Sequence, residues 1–157
     1  MSMSEIRRKA IEGLRPGDTF TVRRTFEEHE TRAFGDLSRD RNPVHYDARW
    51  AAAKRFDGLI CHGLLVGSLI TEIGGEIGWL ASGMEFRFRR PVFFGDTVTC
   101  VLTVTEVDER GRAKARAVFT NQHGATVVEA AMTGHLPGAT ERGILAALVA
   151  EADGAES

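Results

Sequence analysis

A chain of 157 residues is the length of one domain, and a chain of that size buries roughly two thirds of its unfolded surface. The net charge of −2, with charged residues spread along the chain, gives no basic field for nucleic acid. No apolar run approaches the about 20 residues that cross a bilayer, and the opening stretch carries charges where a signal peptide needs an apolar core. Cys61 and Cys100 have neither zinc-ligand nor redox spacing. They read as reduced, buried thiols of a cytoplasmic protein, with a disulfide as the alternative.

In chain order, Ser4 to Gly13 has helical composition with a thin apolar stripe through Ile6, Ala10 and Ile11, a short surface helix. Arg15-Pro16-Gly17-Asp18 is turn chemistry, and Thr19 to Arg24 alternates as a first strand. Thr25 with Glu28 has the form of a capping box, and Phe26, Phe34 and Leu37 recur at near-helical spacing, which predicts a helix from about Phe26 to Ser38. Asn42-Pro43 then reverses the chain, because the residue before proline is pushed out of the helical region. Ala48 to Lys54 reads as another short helix. From Gly63 to Ile73 the apolar residues leave little polar face, the pattern of a buried helix.

The following residues supply the wrapping. Met84–Val92, Thr97–Val107, Ala113–Thr120 and Ala125–His135 alternate as strands separated by turn residues. Glu141 to Ala152 closes the chain as a helix with a frayed polar tail from Asp153. The expectation is an antiparallel sheet curled round one central helix.

Within this outline, Asp40 and His45 stand on the two arms of the Asn42-Pro43 turn, a carboxylate and an imidazole able to address one water. Asp40 alone would read as a helix-end carboxylate; the pairing with His45 next to a buried helix makes it an acid/base candidate. Gly63, opening that helix, offers an unpaired backbone N–H and the positive end of the helix dipole to a developing oxyanion. Asn42 reads as a turn residue and His62 as a hydrogen-bonded histidine at a helix start. Ser68 would by default bond back to a preceding carbonyl. His45 and His62 could form a metal pair, but no third ligand has helpful spacing, so no metal is expected.

The stretches Leu37 to Asp47, Ile60 to Ser68 and Phe88 to Asp96 together resemble the MaoC-like (R)-specific enoyl-CoA hydratases, and the likeness runs from Leu14 to His135. The resemblance implies a hot-dog fold of the α+β class, an antiparallel sheet wrapped around a long central helix. It implies a single domain over 1–157, with about 1–13 a helical extension and about 139–157 a C-terminal helix and tail, acting as a homodimer or an assembly of dimers. It further implies hydration of acyl-CoA thioesters, with Asp40 and His45 catalytic and Ser68 close to them. Gly63, Asn42 and His62 join Ser68 as candidates for the substrate site. Coenzyme A enters only as part of the substrate, and no cofactor is expected. The family's small residue before the aspartate is Arg39 here, with Arg41 on the other side, so two cations could favour an acidic acyl chain or the phosphates of coenzyme A. Two other activities fit the same residues: a hot-dog thioesterase using Asp40 or Glu72, and a non-catalytic acyl-binding module. An acyl-carrier-protein dehydratase is disfavoured, because the histidine and glutamate pattern of that branch is not evident.

Overall fold

The computed structural model describes residues 2–155. The chain opens with helix α1 (Met3–Glu12), capped by Ser2, whose Oγ accepts from the Glu5 N–H at 3.2 Å while the Glu5 carboxylate accepts from the Ser2 N–H. Ile6 and Ala10 are buried against α5 (Leu69–Ile77), so α1 is docked on the core where the sequence suggested only a surface helix.

Strand β1 runs Thr19–Thr25, and helix α2 spans Glu28–Ser38. Thr25 does not cap α2: it ends the strand, paired with Thr97 through a 2.7 Å hydroxyl contact. The cap passes to Glu27, whose N–H donates to the Glu30 carboxylate at 2.7 Å. A strand partner 72 residues away overrides the local capping pattern, as tertiary pairing commonly does. The 3-10 turn Pro43–His45 and helix α3 (Ala48–Ala53) follow.

The expected single buried helix is two. Helix α4 (Gly63–Gly67) and α5 meet at Ser68, whose Oγ donates to the Leu65 carbonyl at 2.5 Å, and Thr71 Oγ1 donates to the Ser68 carbonyl at 2.6 Å. Two hydroxyls bonding back to carbonyls within one turn divert the regular ladder. Leu65, Val66, Leu69, Ile70 and Ile73 are buried as expected, Ile77 beyond the expected stretch is buried too, and Leu64 is exposed.

Strands β2 (Leu80–Phe88), β3 (Thr97–Val107), β4 (Arg112–Thr120) and β5 (Thr126–His135) complete one antiparallel sheet in the order β1-β3-β4-β5-β2. β2 begins and ends four residues earlier than its alternation suggested. Its early start needs Gly134, because a side chain there would collide with the Leu80 carbonyl and the Trp79 ring. Its early end comes where the Arg89 and Arg90 N–H groups turn to the Val127 carbonyl, just before Pro91.

The inner face of the sheet, through Phe20, Leu102, Phe119, Val127 and Met132, packs with Ile70, Ile73 and Ile77 into one core. This is the hot-dog arrangement, a sheet curled round a central helical segment. Helix α6 (Ala139–Ala155) lies against α1 and carries the helix past Asp153 to Ala155; the expected fraying there gives way to an Arg8–Asp153 ion pair at 3.0 Å. The last two tail residues, 156–157, lie outside those described. No helix among the described residues is long and apolar enough to cross a membrane.

Candidate active site

Helix α2 ends at Arg39, whose left-handed backbone (φ 62°) closes the helix through its N–H on the Gly35 carbonyl and turns the chain out to Asp40. Two nested side-chain turns then fix the next six residues. Asp40 Oδ1 accepts the Asn42 N–H at 3.1 Å, and Asn42 Oδ1 accepts the Val44 N–H at 3.2 Å. Asn42 is thus a cap for the 3-10 turn, and that turn carries His45 into the protein, where it is buried.

The second oxygen of Asp40 faces the two histidines. Oδ2 lies 3.8 Å from His45 Nε2 and 4.0 Å from His62 Nε2. His45 Nδ1 lies 2.7 Å from the Ile60 carbonyl, which can only accept, so Nδ1 carries the proton and neutral Nε2 presents its lone pair toward Asp40. Burial pushes the His45 pKa below its usual value. The Ile60 carbonyl bond opposes this, His62 adds to it, and Asp40 opposes it. His62 is fully buried, and by the same logic its Nε2–H donates to the Asp40 backbone carbonyl at 3.0 Å.

These groups open on a cavity of about 630 Å³ lined by Phe34, Ser38, Phe56, Leu64, Val66 and Val128 together with Asp40, His45, His62 and Gly63. Most of the lining is apolar, with polar groups at Ser38, Asp40, His45 and His62 and at Arg89 and Arg90, the form of a site for an apolar chain that carries polar groups. Gly63 stands at its edge without a side-chain cap over the helix start. A Cβ on Gly63 would come within 2.7 Å of the Phe88 ring, so glycine is what lets Phe88 lie over this backbone. Another cavity of about 670 Å³ touches Glu106, Lys114, Thr133 and His135, and none of the candidate residues borders it.

Of the residues singled out from sequence, Asp40, His45, His62 and Gly63 converge on one cavity. Ser68 and Asn42 do not line it; each is engaged with nearby backbone. Arg39 and Arg41 also stay outside it, Arg41 being paired with Asp36 at 2.7 Å. Arg89 and Arg90 border the cavity instead, Arg89 paired with Glu129 at 2.9 Å and Arg90 donating to the Thr126 carbonyl at 2.7 Å. Glu72 is exposed on α5 and does not border it.

The fold also supplies the third potential metal ligand that spacing did not suggest. The ligand atoms of Asp40, His45 and His62 lie within 4.8 Å of one another. The two imidazoles, however, are stacked with centroids 3.8 Å apart and planes at 26°. His62 Nε2 also gives its proton to the Asp40 carbonyl, so it offers no lone pair beside that of His45, and the site suits a hydrogen-bonded water better than a tetrahedral ion.

Both cysteines are buried free thiols, as the sequence suggested, and burial pushes their pKa values up to about 11 for Cys61 and about 12 for Cys100. The sequence did not point to Phe88, Leu64 or Val128 as cavity residues. The signal for Phe88 was the glycine at position 63, a residue without a side chain opposite an alternating strand.

The chain is similar to known proteins along most of its length. The family model described as MaoC like domain matches residues 14–127, so α1 and α6 lie outside the matched region. The (R)-specific enoyl-CoA hydratase of Aeromonas caviae is 35% identical over 104 residues, 64% of this chain and 78% of that protein. A mitochondrial 3-hydroxyacyl-[acyl-carrier-protein] dehydratase of Arabidopsis thaliana is 27% identical over 142 residues, 87% of this chain and 84% of that protein. Among solved structures, the (R)-hydratase from A. caviae has a TM-score of 0.75 at 33% identity, covering 80% of this chain and 99% of its own. With most of the sheet, the central helical segment and the Asp40–His45 turn inside the matched region, the chain belongs to the MaoC-like family.

Proposed function

We propose that the chain is a hydratase that adds water across the double bond of trans-2-enoyl thioesters of coenzyme A to give (R)-3-hydroxyacyl thioesters, and catalyses the reverse dehydration. One observation carries this reading: a carboxylate oxygen and an imidazole nitrogen that bears a lone pair stand 3.8 Å apart on a largely apolar cavity. A single water can hydrogen-bond to both at ordinary distances. The named activities of the relatives support the substrate class and the stereochemistry.

In this reading the Asp40–His45 pair takes a proton from the water as its oxygen bonds to C3. The π electrons move toward the thioester oxygen, and the pair returns a proton to C2 on the same face, so the elements of one water are added and no net proton is released. The Gly63 N–H is the donor for the thioester oxygen while it carries charge, a contribution that in other enzymes is worth about 10²–10³ in rate. Arg89 and Arg90, at the rim, are the cations for the phosphates of the carrier. The steps need no cofactor beyond the carrier on the substrate.

The test is the ultraviolet absorbance of a conjugated enoyl-CoA, which hydration removes without releasing free thiol, whereas a thioesterase releases it. Asp40→Asn and His45→Gln variants that melt like the parent are expected to lose about 10²–10⁴ in turnover. Undiminished turnover in both would remove them from the chemistry and favour an acyl-binding module. Because a relative is named for an acyl-carrier-protein substrate, the same assay with an enoyl-acyl-carrier protein separates the two carriers. A preference for the protein carrier would correct the coenzyme A assignment.

A homodimer belongs to the same proposal. β2 is an edge strand with its outer side unpaired and with Leu80, Met84 and Phe88 exposed, and such an edge is an invitation to pair with a second chain. Sedimentation of a monomer alone at micromolar concentration would refute it.

A further inference from the structure

Asp40 presents a problem that its own neighbourhood does not solve. It sits just beyond the end of α2, with a half-exposed side chain on a surface turn. The Asn42 N–H fixes one carboxylate oxygen locally, but nothing in that turn fixes its distance from Gly63. The link is His62. Its Nε2–H donates to the Asp40 backbone carbonyl across 22 residues of sequence, and its own backbone leads directly into Gly63 at the start of α4.

The same ring backs His45. The two imidazoles stack at 3.8 Å, with Phe34 tilted at 5.0 Å and Tyr46 edge-on at 6.3 Å from His62. Around His45, the charged and titratable neighbours are Asp40 and His62, with Tyr46 edge-on at 6.5 Å. His62 thus touches both members of the acid/base pair and adjoins in sequence the residue assigned to the oxyanion. A plain packing residue would not be built this way. His62 Nδ1 is buried with no hydrogen-bond partner among the described residues, a cost that phenylalanine or leucine would avoid. An orphaned buried acceptor kept beside one well-made bond marks a position held for that bond.

We infer that His62 is a positioning residue for hydration, holding Asp40 and His45 at a fixed distance from the Gly63 N–H. The inference rests on the reading of Asp40 and His45 as the catalytic pair. His62 does not exchange a proton with substrate. It acts by geometry, where displacements near 1 Å cost about 10²-fold.

The test uses three variants of the full chain. In His62→Gln the side-chain amide nitrogen reaches as far as Nε2 and can still donate to the Asp40 carbonyl. In His62→Phe the stacked ring stays and the donor is lost. In His62→Asn a donor remains but falls short of the carbonyl. Expected are a fall in kcat of about tenfold or more for the Phe and Asn variants, with KM for the enoyl-CoA little changed, and rescue of most of the loss in the Gln variant. The acid limb of the kcat/KM profile should also move to higher pH in the Phe variant, because His62 is one of the groups that lower the His45 pKa.

Equal kcat in the Phe variant and the parent overturns the inference, as does a Gln variant that falls by the same factor as Asn. If the Phe variant does not fold, the Gln and Asn pair decides alone. Failure of the underlying reading looks different: Asp40→Asn then turns over like the parent, whatever the His62 variants do.

Discussion

The carboxylate of Asp40 meets His45 through one oxygen, Oδ2 at 3.8 Å from Nε2, while the other is tied to the backbone of Asn42. The His45 ring is fixed at its far nitrogen by Ile60. Each partner thus has one atom anchored and one atom free, and the free atoms stand close enough for one water to bridge them from the side. The pair is set in place before substrate arrives, so little reorganisation is left for the reaction itself.

Burial of His45 has a consequence for acid stability. Its folded pKa lies below the ordinary value of 6.5, so in the window between the two the unfolded chain binds a proton that the folded chain does not. Stability therefore rises with pH across that window and is lost as pH falls through it from above. The urea midpoint is expected to drop between pH 7 and pH 5, and to drop less in His45→Gln. Equal pH slopes in the two proteins would assign the effect to other groups.

Arg39 holds a left-handed backbone, which costs a residue with a Cβ roughly 1 kcal/mol relative to glycine. No hydrogen bond or ion pair of its side chain is seen among the described residues. Arg39→Gly should gain up to about 1 kcal/mol in urea unfolding, less the entropy glycine adds to the unfolded chain, and leave kcat unchanged. A loss of turnover would give the Arg39 side chain a role in substrate binding that its placement outside the cavity does not provide.

Gly35 lies on the face of α2 that Tyr46 covers. A Cβ there would overlap the Tyr46 hydroxyl and sit 3.4 Å from His62 Cε1. Gly35→Ala is expected to destabilise the fold by about 1–3 kcal/mol and to lower kcat by pushing Tyr46 and His62 out of place. That hydroxyl is buried with no well-formed hydrogen bond among the described residues, so adding Tyr46→Phe should recover part of the loss. Additive effects in the double variant would contradict the contact.

The thiols offer a control on the core. With pKa values raised to about 11 and 12, the thiolate fraction at pH 8 is on the order of one part in a thousand or less. Cys61 and Cys100 should resist a thiol reagent in the native protein and react with it in denaturant. Rapid labelling of the native chain would mean that the core opens at Cys61 or Cys100.

What could be read from the sequence was what is local. Asp40 and His45 share a six-residue turn whose chemistry is written in Asn42 and Pro43, and the sheet strands announced themselves by alternation. The misread features depend on distant partners. Thr25 looked like a helix cap until Thr97 claimed it for the sheet, and β2 starts early because Gly134 lets another strand's backbone close in. Ser68 split a helix that composition made continuous. The bond from His62 to the Asp40 carbonyl leaves no mark in spacing, since it joins the ends of a 22-residue detour through α3. For the same reason the gathering of Asp40, His45 and His62 could not be foreseen from intervals along the chain.

Phe86 and Phe88 project from β2 over Gly67 and Gly63, and β2 is fastened to the sheet on one side only, by β5. The wall above the helix start is therefore carried on an edge strand, whereas β4 has a neighbour on each side. Edge segments open at lower free energy than central ones. In the isolated chain the amides of β2 should exchange with deuterium well before those of β4, and the lifetime of the closed wall would set how often a bulky acyl group can enter.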